Sequence, residues 1–134
     1  MTFNQVLMID DDVLALQLHH MIIGNNSIQK QFFVTKENGL EAIDYLGQLL
    51  EADPNSFPKY ILLDLNMPEM DGISFLQEFQ SRFPEYKDFT EVIILTSSIR
   101  KKDKEGAFRY ECVKDYIIKP VPEDLVKKLI TNGR

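Results

Sequence analysis

Four short polar groups stand directly after apolar runs of the chain. Asp10-Asp11-Asp12 follows Val6 to Ile9, Asp64-Leu65-Asn66 follows Tyr60 to Leu63, Thr96-Ser97-Ser98 follows Val92 to Leu95, and Lys119-Pro120 follows Tyr116 to Ile118. Carboxylates gathered at one place raise one another's pKa and become comfortable only when a cation joins them. The donors here are all oxygens, with no histidine or cysteine in the motif, which suits a hard cation. Few carboxylates, with room left for water and phosphate, favour Mg2+, and Mn2+ can substitute. The Thr96 hydroxyl and the Lys119 ammonium complete the partners a phosphoryl group needs, and a carboxylate can serve as its covalent acceptor. Asp64 is the natural acceptor. Asp12 reads differently, as the N-cap that starts the next helix.

These residues act together only if the fold gathers them. The apolar runs, with Phe32 to Val34 as a fifth, are continuous rather than alternating, as strands covered on both faces are, and this points to a parallel sheet. Segments of helical period alternate with them. In the first, Leu14, Leu18, Met21 and Ile22 share one face, and in the second Leu40, Ile43, Leu46, Leu49 and Leu50 recur at three- and four-residue steps. In the third, Ile73, Leu76, Phe79 and Phe83 do the same, and two more helices are expected near 99–110 and 122–131. Five strand–helix alternations predict an α/β, doubly wound, five-stranded parallel sheet with helices on both faces. In the common strand order 2-1-3-4-5, strands one and three are neighbours, so Asp10, Asp11 and Asp64 converge at the carboxyl ends where such sheets bind ligands. The segment from Glu51 to Pro58 reads as an exposed connection.

The 134 residues fit one domain, 1–134, with no room for an output domain. A net charge of -6 argues against a surface built for nucleic acid or anionic membrane. No apolar run approaches the ~20 residues that span a bilayer, and the single cysteine, Cys112, excludes an intrachain disulfide. A cytoplasmic protein is expected, with Cys112 a buried or half-buried thiol.

With "VLMIDDD", "ILLDLNMPEMDG", "VIILTSS" and "DYIIKP", the chain resembles the receiver domains of two-component response regulators, over residues 3 to 131, and most of all the single-domain chemotaxis kind. The resemblance implies a flavodoxin-like fold and phosphorylation of Asp64. Mg2+ would be held by the side chains of Asp11 and Asp64 and the backbone carbonyl of Asn66, with Asp10 supporting. Lys119 would bind phosphoryl oxygens, Thr96 would move inward to bond one of them, and Tyr116 would turn from exposed to buried. The donor would be a histidine kinase or phosphotransfer protein. The surface of helix four, strand five and helix five would then change its affinity for a downstream protein, and a phosphorylation-dependent homodimer is compatible with this. Such a domain assists its own phosphorylation and dephosphorylation but is not a turnover enzyme. The resemblance also favours a cis bond before Pro120.

The alternatives are an aspartyl-phosphate hydrolase, for which Asp64-Leu65-Asn66 lacks the second acid, and an interaction module independent of phosphorylation. Ser98 offers neither carboxylate nor amide to orient a hydrolytic water, and Ser97 is small enough to leave access. The stretch "YECVKD" lacks a glycine-containing loop. Met67-Pro68 and Asp71-Gly72 read as a turn leading into a helix. The run from Arg100 to Lys104 reads as a solvated helix face, or more sharply as a docking patch for an acidic partner. His19 and His20 read as surface histidines of the first helix with no phosphorelay role.

Overall fold

The structure, a computed structural model, describes residues 3–24, 30–67 and 70–131. Strands β1 (Val6–Ile9), β2 (Phe33–Lys36), β3 (Tyr60–Asp64), β4 (Glu91–Thr96) and β5 (Val113–Ile118) alternate with helices α1 (Val13–Gly24), α2 (Gly39–Ala52), α3 (Gly72–Arg82), α4 (Lys101–Phe108) and α5 (Leu125–Thr131). All strand pairs are parallel, in the order β2-β1-β3-β4-β5. This is the expected doubly wound sheet.

Alternate residues of each central strand serve different layers. Leu7, Ile9, Ile61, Leu63, Val92 and Ile94 pack with α2, α3 and Ala107 of α4. Val6, Met8, Tyr60, Leu62, Ile93 and Leu95 pack with α1 and α5. Because both faces are covered, β1, β3 and β4 carry unbroken apolar runs, Val6–Ile9, Tyr60 to Leu63 and Val92 to Leu95.

Three expectations need correction. The buried face of α1 is Leu16, His19 and Ile23, while Leu14, Leu18 and Met21 are 77%, 50% and 70% exposed. The helix has no charged residue between Val13 and Gly24, so its periodicity offered more than one apolar face, and packing on the sheet chose the other. His19 is therefore a core residue, not a surface one, and its Nδ1 has no hydrogen-bond partner among the described residues. His20 is half-buried, with Nε2 2.8 Å from Thr35 Oγ1. On α2, Leu40 is exposed while Ile43 and Leu46 are buried. Finally, the Glu51–Pro58 connection is exposed only in its first part. Phe57 is buried and stacks on Tyr86 with ring centroids 3.8 Å apart, which anchors the start of β3.

Candidate phosphoryl-acceptor and metal site

Strand register builds the site. Ile9 pairs with Leu63, so Asp10 and Asp64 emerge side by side from β1 and β3. Thr96 ends β4 opposite Ile118, and the Lys119 N–H continues the ladder to the Thr96 carbonyl at 2.8 Å. Asp10, Asp64 and Thr96 are buried, and Asp11 is exposed.

The segment that links Asp64 to α3 is held from below. Asp71 caps α3 by accepting from the Ser74 N–H at 2.8 Å, and Gly72 N–H donates to the Leu65 carbonyl at 3.0 Å. A Cβ at Gly72 would lie 2.6 Å from Leu65 Cα and 2.8 Å from the Asp64 carbonyl, so only glycine lets the helix start this close to Asp64. The Met67-Pro68 turn is described only to Met67; Pro68 lies outside the described residues.

Carboxylate oxygens of Asp10, Asp11 and Asp64 lie within 4.8 Å of one another. Lys119 Nζ donates to Asp10 Oδ2 at 2.9 Å and stands 3.5 Å from Asp64 Oδ2. Burial raises the Asp64 carboxyl to about 6, against the Asn66 N–H bond at 3.1 Å and the Lys119 charge, which pull it down, while Asp10 adds to the rise. Burial also opposes the Lys119 ammonium, but the bond to Asp10 and the charges of Asp10 and Asp64 outweigh it and hold that group above its ordinary value. A counter-cation would relieve a carboxyl raised by burial beside two other acids. The oxygen-only donor set fits a hard divalent ion, so this cluster is able to hold one.

Asp12 accepts from the Ala15 N–H at 3.2 Å, as an N-cap of α1 does, and its own N–H donates to Asp10 Oδ1 at 2.9 Å. It thus belongs to the helix rather than to the acidic cluster. The Lys119–Pro120 bond is cis. Cys112 is buried, which pushes its thiol up to about 11.

On the other side of Thr96, the Ser98 N–H donates to Thr96 Oγ1 at 3.1 Å and the Tyr116 hydroxyl donates to the Ser98 carbonyl at 3.3 Å. Tyr116 is half-buried. The Ser98 hydroxyl donates to Asp103, a residue on α4 that sequence reasoning left inside a solvated basic run. The available signal was an acid at the third position of a helix whose preceding Arg100 supplies no side-chain cap.

Comparison with known proteins follows the same outline. The chain is 30% identical over 127 residues to the two-component response regulator ARR22 of Arabidopsis thaliana, covering 95% of this chain and 81% of that protein. It is similar to the crystal structure of a two-component response regulator from Cytophaga hutchinsonii, with TM-score 0.78 and 27% identity over 96% of this chain and 95% of that one. It is likewise similar to the phosphorylated cyanobacterial phytochrome response regulator RcpA, with TM-score 0.75 and 27% identity over 98% and 96% of the two chains. A family described as the response regulator receiver domain matches residues 6–131, from β1 to the last helix, and the chain belongs to that family of two-component signalling domains.

Proposed function

We propose that this chain is a phosphoacceptor switch, in which a phosphohistidine of a histidine kinase or phosphotransfer protein donates its phosphoryl group to Asp64. The observation that carries this reading is the convergence of Asp10, Asp11 and Asp64 with the Lys119 ammonium at one end of the sheet. In the transfer, an Asp64 oxygen attacks phosphorus, the P–N bond breaks, and the imidazole nitrogen leaves with its electron pair. Asp11, Asp64 and the Asn66 carbonyl, supported by Asp10, would hold Mg2+, which when bound neutralises charge on the phosphoryl oxygens. Lys119, poised between two carboxylates, gains a phosphoryl oxygen as partner. Thr96 donates its hydroxyl to another, and Tyr116 follows into the space it leaves.

Two surfaces fit the two partners. The stripe Leu14, Leu18 and Met21 begins just past the acidic cluster and presents apolar area without charge, which suits the helix of a donor that must bring histidine to Asp64. Around Tyr116, Ile99 and Ile118 are 85% and 42% exposed beside Lys101 and Lys104. Residues 100–114 hold six of the chain's 15 cations and three of its 21 acids, so an acidic, partly apolar protein segment suits this output face. On this reading the chain acts as a switch without turnover of its own and meets its donor in the cytoplasm.

With Mg2+ and acetyl phosphate, intact-mass measurement should find one added phosphoryl group, and none in Asp64→Asn. No Mg2+-dependent adduct, or an undiminished one in the variant, refutes the assignment.

A further inference from the structure

The space between α3 and α4 is left open. Of α4 only Ala107 is buried, and beside it lies a cleft of about 590 Å3 whose apolar lining is Leu65, Ile73 and Tyr110. The cleft runs from Asp71 to Gln80 along α3 and from Arg100 to Arg109 along α4, about 14 Å of each helix. Gly106 lines it, and nothing lies within 4 Å of a Cβ built there, so the cleft reaches the α4 backbone. Gln80 and Arg109 also line a smaller cavity of about 270 Å3, together with Lys87, Glu111 and the buried Phe79 and Cys112.

The charges along this path are unbalanced. Asp71 caps α3, and Asp103 is engaged by Ser98 and Arg100. Lys87, Lys102 and Arg109 are exposed and, among the described residues, hold no ion pair or side-chain hydrogen bond. Of the lining acids only Glu111 remains to offset them. Helical spacing puts Lys102, Gly106 and Arg109 on one flank of α4, while Lys101 and Lys104 turn to Tyr116 on another.

We propose that this cleft holds an extended acidic segment of a partner protein, whose acidic side chains reach Lys102 and Arg109 while the apolar ones between them rest on Leu65 and Ile73. At ~3.3 Å per residue, about four residues span its length. Alternate side chains of an extended chain point to opposite sides, which suits a charged wall above an apolar floor. The cleft is open along its length, whereas a small ligand needs most of its surface enclosed. The chain's net charge of -6 repels a long polyanion such as nucleic acid, but screening leaves a short segment to the local cations. This site lies on the other flank of α4 from Tyr116 and does not depend on Asp64 being the acceptor.

The test titrates the full chain into a fluorescein-labelled hexapeptide of alternating glutamate and leucine, with a lysine and leucine counterpart as control, and follows fluorescence anisotropy at low salt. Wild type should bind the acidic peptide saturably, with Kd below about 1 mM, and should not bind the basic one. Lys102→Glu combined with Arg109→Glu should weaken binding about tenfold or more. Lys101→Glu combined with Lys104→Glu changes the net charge equally on the other flank and should stay within about threefold of wild type. Gly106→Leu alters no charge but fills the cleft, and should weaken binding about tenfold. Circular dichroism checks the fold of each variant, and the two charge pairs decide alone if Gly106→Leu unfolds. No saturable binding by wild type, equal losses in the two charge pairs, or full affinity in a folded Gly106→Leu would overturn the proposal. Displacement of the peptide by an equal or lower concentration of a mixed-sequence single-stranded decanucleotide, or of free glutarate, would overturn it too, in favour of nucleic acid or of small anions.

Discussion

At the scale of single residues, Asp64 is held in conflict between burial and charge. Its carboxyl, raised to about 6, binds a proton more tightly in the folded chain than in the unfolded one. The stability this gives is complete below the unfolded value near ~4 and is lost as pH rises through about 6. A rise of this size corresponds to roughly 3 kcal/mol. Without divalent metal, wild type should therefore lose on the order of 2–3 kcal/mol relative to Asp64→Asn between pH 4 and 7, read from urea midpoints of the two proteins. Burial lowers the pKa of His19 and His20, which works in the opposite direction, but both proteins share these groups and the difference cancels them. A difference that does not vary with pH would show that the Asp64 charge costs the fold nothing. That Asp10, Asp11, Asp64 and Lys119 come together was legible because each group follows an apolar run. The Asp103–Ser98 bond was not, because its one signal, an acid at the third position of a helix without a side-chain cap, does not say which loop residue that acid reaches.

At the scale of elements, glycines at two helices make opposite predictions. Nothing lies within 4 Å of a Cβ built at Gly106, in the last turn of α4. Gly106→Ala should stabilise the protein by about 0.5–1 kcal/mol through helix propensity alone. At Gly72 the same added methyl meets the Leu65 backbone at 2.6 Å, and Gly72→Ala should destabilise by roughly 1–3 kcal/mol. Thermal melts of the two variants check both, and a matching sign would refute the contrast. The helices themselves could be read from periodicity, with ends displaced by a few residues: α4 runs over Lys101–Phe108 and α5 over Leu125–Thr131, inside the expected 99–110 and 122–131. What periodicity could not supply was the rotation of α1. An uncharged helix has no polar face to declare which side meets water.

At the scale of the whole molecule, the sheet directs its chemistry to one end and its contacts to two flanks. The Leu14, Leu18 and Met21 stripe is exposed and lies on α1, which starts directly after the acidic cluster. Leu18→Glu should leave stability and phosphorylation by acetyl phosphate within about twofold of wild type, yet slow transfer from a phosphorylated histidine phosphotransfer protein about tenfold. Equal slowing with both donors, in a phosphorylation time course, would remove α1 from the docking surface. Among the described residues no helix is long and apolar enough to cross a membrane.

By itself the sequence determined the parallel sheet, its flanking helices and the residues at the strand ends, because continuous apolar runs, helical periods and the residue after each run are properties of neighbours along the chain. It determined Asp12 as a cap for the same reason, since a cap bonds three residues ahead. Tertiary structure alone decided that His19 and Phe57 are buried, that α1 turns Leu14, Leu18 and Met21 outward, and that Asp103 holds Ser98. Each of these depends on how a helix or loop seats against the sheet, and that choice is made by packing across the chain rather than by pattern along it.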